Sequence, residues 1–86
     1  MPQQVAVITG AGAGIGRATA RTLGRAGCDV ALVGRNRDRL GDAAAELREL
    51  NVRTHIVCVD VADAGAVELA AEEIEEKLGP ITLWGN

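Results

Sequence analysis

With 86 residues the chain has room for one small domain and no second core, and folding buries about 60 to 70 per cent of the surface an unfolded chain exposes, so a thin stability margin is expected. Its 48% hydrophobic and 24% charged residues exclude a disordered chain, and a formal net charge of −3 with a single aromatic residue, Trp84, argues against nucleic acid or an anionic membrane surface as partner. No apolar run reaches the roughly 18 residues of a membrane span, and the N-terminus enters a strand at once without a leader, which makes the cytoplasm the expected location.

Val5 to Thr9 is a continuous apolar, largely β-branched run of the kind found in the middle of a parallel sheet. It breaks into Gly10, Gly12, Gly14 and Gly16 and leaves them in a helical pattern from about Ile15 to Ala26. Ile15, Ala18, Thr22, Leu23 and Ala26 supply its apolar and small face, Arg17, Arg21 and Arg25 fall mainly on the other, and Gly27 is placed to end it. Strand, glycine loop and helix together make a phosphate-binding device. Glycine lets a bulky anion approach the backbone, and the helix start presents unpaired N–H groups and a positive dipole end. A nucleotide pyrophosphate is the expected guest, against the plainer reading of a turn that only packs. Spacing rules out two versions of the loop: Ile15 stands where G-x-G-x-x-G from Gly10 needs glycine, and Ile15-Gly16-Arg17 stands where a Walker A loop needs Gly-Lys-Ser/Thr. Arg17 is either a solvated helix residue or a positive charge near the phosphates.

Asp29 to Val33 gives a second strand, followed by Gly34-Arg35-Asn36. A site selecting NAD wants a carboxylate near Gly34 for the two ribose hydroxyls; this chain offers the Arg35 guanidinium instead, which can pair with a 2′-phosphate through two parallel bonds, so NADP is expected ahead of NAD. Asn36 is a plausible N-cap for a helix from Arg37 to Leu50, with Leu40, Ala43, Ala44, Leu47 and Leu50 on one stripe and Asn51 stopping it. Arg37 and Arg39 read as solvated.

Thr54 to Val59 makes a third strand, ending at Asp60-Val61, and Asp63 caps a helix over Ala64 to Leu78 that buries Val67, Ala71, Ile74 and Leu78. Gly79-Pro80 stops that helix before a short strand, Ile81 to Trp84. Cys28 and Cys58 read as buried free thiols and His55 as a structural residue without metal-ligand spacing around it. Glu72, Glu73, Glu75 and Glu76 form a solvated face, with Glu73 and Lys77 available as an i,i+4 pair. Alternating strands and helices with short connections predict an α/β, Rossmann-like three-layer fold: a parallel sheet of about four strands in the order 3-2-1-4, with two helices on one face and one on the other.

The arrangement Thr9-Gly10-x-x-x-Gly14-x-Gly16 resembles the glycine motif T-G-x-x-x-G-x-G of the short-chain dehydrogenase/reductase family. Arg35, nineteen residues beyond Gly16, and Asp60-Val61 after the third strand also match that family in order. The resemblance implies a nicotinamide dinucleotide partner, with pyrophosphate at Gly10, Gly14, Ile15 and Gly16, the 2′-phosphate of NADP at Arg35 beside Asn36, and adenine at Asp60 and Val61. Asp60 has a second reading as the opening of the turn that leads to Asp63. Gly79-Pro80-Ile81 looks like the family's approach to its fourth strand, and Asn86 stands where the first asparagine of the family's Asn-Asn-Ala-Gly would fall.

Family members reduce carbonyls or oxidise alcohols with a serine, a Tyr-x-x-x-Lys pair and an asparagine. This sequence has no tyrosine, no serine and one lysine, Lys77. The expectation is therefore a cofactor-binding, N-terminal half of such an enzyme over residues 1–86, binding without catalysing by itself. Its uncovered sheet face and edge predict self-association or a complementing chain. The alternative is a non-catalytic Rossmann-like scaffold or interaction module.

Overall fold

Short runs of Val, Ile and Ala separated by alanine- and leucine-rich amphipathic segments fold, in a computed structural model that describes residues 3–12 and 14–85, into alternating strands and helices. They are β1 (Val5–Thr9), α1 (Gly14–Arg25), β2 (Asp29–Gly34), α2 (Arg37–Arg48), β3 (Thr54–Cys58), α3 (Ala64–Leu78) and β4 (Leu83–Gly85). The strands form one parallel sheet in the order β3-β2-β1-β4, with Val7 opposite Ala31 on one side and Trp84 on the other, and Ala31 opposite His55.

Both faces of the central strands are covered, which is why β1 and β2 carry almost no polar residue. Ile8, Val30 and Leu32 point to one face, against Ala20 of α1 and Leu40, Ala43, Ala44 and Leu47 of α2. Val5, Val7, Ala31, Val33 and Val57 point to the other, against Ala70, Ile74 and Leu78 of α3. The expected division of two helices and one is therefore present. The α2 stripe is buried as expected, while in α3 Ala70 takes the fully buried place, with Val67 and Ala71 half-buried.

Helix α1 differs from expectation in the face it buries. Gly16, Ala20 and Gly24 pack inward with Leu23 half-buried, whereas Ile15 is 82% exposed and Ala18 and Thr22 face solvent. Close approach explains the choice: a Cβ on Gly24 would come within 2.6 Å of Leu47 Cδ2 and 3.1 Å of Leu50 Cδ1. The bare side of the helix is the one that fits under α2.

Caps fall where the sequence places them. Asn36 Oδ1 accepts from Arg39 N and Asp63 Oδ1 from Ala66 N, both at 3.1 Å, satisfying first-turn donors of α2 and α3. Helix α2 ends at Arg48, short of Leu50, and Asn51 then turns the chain at φ 61°. Strand β4 begins two residues later than the apolar run suggests. Ile81 N donates to Glu75 Oε2, and Thr82 bonds Val5 through both its backbone and its hydroxyl, so ladder pairing starts at Leu83.

Three side-chain clasps join neighbouring elements. Asp29, His55 and Glu46 are their centres: Arg53 holds Asp29, His55 Nε2 lies 2.6 Å from Glu73 Oε2, and Glu46 of α2 takes both Arg17 and Arg21 of α1. Glu73 thus reaches across to β3 instead of along its helix to Lys77. Of the two thiols Cys28 is buried, and Cys58 is only half-buried.

Hydrogen bonds from Arg17 and then Arg21 hold the Glu46 carboxyl below its ordinary pKa against the opposing effect of burial. A depressed folded-state pKa means a stabilisation that is complete above the unfolded value and lost as pH falls through the folded one. Because these side chains are about one-third exposed, Glu46→Gln is expected to cost at most about 1 kcal/mol near neutrality. Melting curves of both proteins should differ at pH 7 and converge in acid below the folded pKa of Glu46; a constant offset at all pH would contradict this account.

Candidate functional site

At the C-terminal end of the sheet, the connections leaving β1 and β2 step the same way across it, whereas the connection leaving β3 crosses to the other side of β1 to reach β4, so the strand order reverses beside β1 and a crevice opens there. The glycine loop lies in that crevice. Gly10 turns it at φ 65°, held by its N–H to Val33 O at 2.9 Å, and Gly14 starts α1 at φ 60°; neither would meet a Cβ neighbour within 4 Å. Gly16 is different: a Cβ there would sit 2.4 Å from Gly10 O. The first turn of α1 consequently rests directly on the loop, with no acidic residue in that turn to oppose an anion.

Beside the loop is a cavity of about 280 Å³ lined by Gly10, Gly12, Gly34 and Leu40 together with Arg35, Asn36, Arg39 and Val61. A second cavity of about 230 Å³ adjoins it through Arg35 and is lined by Cys58, Val59 and Asp60. The sequence-derived residues Gly10, Arg35, Asn36, Asp60 and Val61 are thus brought together over one stretch of surface, while Gly14, Ile15 and Gly16 stand at the start of α1. Asn86 lies outside the described residues. Arg17, with its two earlier readings, is engaged by Glu46.

Individual geometries refine these roles. Asp60 Oδ1 accepts from Ala62 N at 2.9 Å and its carbonyl accepts from Asp63 N at 3.0 Å, so the carboxylate opens the turn through one of its two oxygens. Asn36 spends its carbonyl oxygen on the α2 cap, leaving its amide nitrogen. Cys58 Sγ donates to Arg35 O at 3.3 Å. Gly34 is buried against Leu40, whose Cδ2 would lie 3.3 Å from an added Cβ, so a side chain at that strand end would require Leu40 to shift by a few tenths of an ångström.

Gly12, Leu40 and Arg39 were not legible as site residues. Gly12 has no place in the glycine motif, yet its bareness admits Arg39, whose Cβ is 3.0 Å from the position a Gly12 Cβ would take. The available signal was the i,i+4 step from Arg35 to Arg39 across a helix start. Among the described residues no group of three or more His, Cys, Asp or Glu could hold a metal ion, and no helix is long and apolar enough to cross a membrane.

A parallel sheet ordered 3-2-1-4, covered on both faces, with a glycine loop at the switch point and a cationic crevice beside it defines a Rossmann-like nucleotide-binding fold. The short chain dehydrogenase profile matches residues 4–86, and the chain belongs to that family. An uncharacterised oxidoreductase of Staphylococcus haemolyticus is 37% identical over 83 residues, 96% of this chain and 35% of its own length. The alcohol dehydrogenase of the archaeon Thermococcus sibiricus, solved with 5-hydroxy-NADP, superposes with a TM-score of 0.90 at 40% identity, covering 96% of this chain and 36% of its own. A xylitol dehydrogenase solved with NAD⁺ superposes at 0.91 with 34% identity, over 94% of this chain and 31% of its own. The chain therefore spans about a third of the length of the relatives it matches.

Proposed function

We propose that residues 1–86 form the NADP(H)-binding part of a short-chain dehydrogenase/reductase that interconverts alcohols and carbonyls by hydride transfer. The observation that carries the choice of NADP over NAD is Arg35 in the cavity lining, directly after a buried Gly34 that offers no ribose-binding carboxylate. Neighbours in the family are solved with either dinucleotide, so the fold alone does not discriminate. Bound there, the dinucleotide would supply the hydride, and this chain's own residues would hold it. Gly10, Gly14, Ile15 and Gly16 take the pyrophosphate, Arg35 with the Asn36 amide the ribose phosphate, and Asp60 Oδ2 with Val61 the adenine.

No serine or tyrosine occurs in these residues, so the proton transfer that accompanies hydride transfer needs groups from further polypeptide. Strand β4 offers the place to receive it, with Leu83 and Trp84 exposed at a sheet edge. We place this binding unit in the cytoplasm, where both of its thiols stay free.

The test is calorimetric titration with NADP⁺ and NAD⁺ at low salt, beside Arg35→Asp. NADP⁺ should bind more tightly than NAD⁺, and Arg35→Asp should weaken NADP⁺ by about 100-fold, the loss of a charge-assisted pair plus a new repulsion. Binding of neither dinucleotide by a folded chain would end the cofactor reading and favour a scaffold.

A further inference from the structure

Arginines of this chain divide by partner. Arg17, Arg21 and Arg53 each have a carboxylate within 3.0 Å, whereas Arg25, Arg35, Arg37, Arg39 and Arg48 have no ion-pair partner among the described residues although acidic side chains outnumber basic ones. Of these five, Arg35 and Arg39 line the cavity beside the glycine loop. Two like charges sharing a cavity repel each other, and an anion with more than one negative charge removes that repulsion.

We propose that Arg39 is a second specificity-determining residue, which with Arg35 clamps the 2′-phosphate of the dinucleotide; this rests on the NADP reading above. Arg39 is rooted for that task. Its backbone N–H is fixed by Asn36 Oδ1, the following Leu40 is buried beneath Gly34, and its Cβ abuts the bare Gly12. Arg39 therefore lines the cavity beside the glycine loop, while Arg35 lines it just past the end of β2. A phosphomonoester carries about −1.5 to −2 at neutral pH, which one guanidinium leaves partly uncompensated and two neutralise. The charged side chains nearest in sequence, Arg37, Asp38 and Asp42, are exposed and are not among the groups lining the cavity.

The experiment titrates wild type, Arg39→Gln, Arg39→Lys, Arg35→Gln and the double Gln variant with NADP⁺ and NAD⁺ at two salt concentrations, each protein first checked for a native melt. Arg39→Gln should weaken NADP⁺ about tenfold, leave NAD⁺ within about twofold, and flatten the salt dependence of NADP⁺ binding. Arg39→Lys should retain part of the preference, because a point charge replaces a planar fork. In the double variant the losses should fall short of their product, since both groups act on one phosphate. An unchanged NADP⁺ affinity in Arg39→Gln overturns the proposal, and so does an equal loss for both dinucleotides, which would put Arg39 on the shared pyrophosphate or adenine. Wild type that binds neither dinucleotide overturns the NADP reading itself and this inference with it, a result distinct from the other two.

Discussion

Gly16→Ala is expected to destabilise the fold by about 3 kcal/mol and lower Tm by about 15 °C, the upper range for overpacking in a domain of this size. The new Cβ would lie 2.4 Å from Gly10 O, 2.9 Å from Gly10 C and 3.2 Å from Ala11 Cα. Every one of these is backbone, and none can rotate away. Relief requires moving Gly10, which is tied to β2 through Val33 O, or lifting the start of α1 off the loop. Either movement also spoils the pyrophosphate cradle, so dinucleotide affinity should fall together with stability. The same substitution at Gly41, inside α2 with nothing within 4 Å, should instead stabilise by up to about 1 kcal/mol through helix propensity. Thermal melts followed by circular dichroism decide the matter: similar Tm values for the two variants would contradict the backbone clash.

The second large effect is expected at the opposite end of the sheet. Arg53→Met should cost about 2 kcal/mol, because Asp29, only 4% exposed, would lose a charged donor that it cannot replace with water at no cost. Arg53 gives its backbone N–H to Asp29 Oδ1 at 2.8 Å, its Nε–H to Oδ2 at 3.0 Å and an Nη2–H to Leu78 O at 2.9 Å. One side chain thereby ties the entry to β2, the entry to β3 and the last turn of α3. The Arg53 side chain is 61% exposed, and that access to solvent keeps the cost below the roughly 3–5 kcal/mol of a fully buried pair. A double-mutant cycle with Asp29→Ala measured by urea unfolding should return a coupling of about 1 kcal/mol or more. Additive losses would mean that the two groups act independently.

What could be read in advance follows from how local each cause is. Continuous Val and Ile runs mark strands covered on both faces, and Asn36 and Asp63 bond donors only three residues ahead, so strand order and caps were legible. The buried face of α1 was not. Hydrophobic spacing points to Ile15, Ala18 and Thr22, whereas the packing selects Gly16, Ala20 and Gly24 because the partner, Leu47, arrives from another helix. Likewise Ile81 and Thr82 have strand chemistry but are drawn into side contacts with Glu75 and Val5, which moves β4 along the chain. At the site, Arg35 was legible because it directly follows a strand. Arg39 was hidden among the solvated arginines, since its neighbour in space is Gly12, twenty-seven positions earlier.

Trp84 is the only aromatic residue in the chain, it pairs with Val7 at the margin of the sheet, and half of it meets solvent. All the intrinsic fluorescence of the molecule therefore originates on β4, while circular dichroism is governed by the three helices. The two signals observe different parts of one body. If β4 detaches before the interior melts, emission will shift at a lower temperature than ellipticity, and a reduced nicotinamide brought near β4 will quench or accept that emission. The protein thus carries a built-in optical probe at one edge of its sheet.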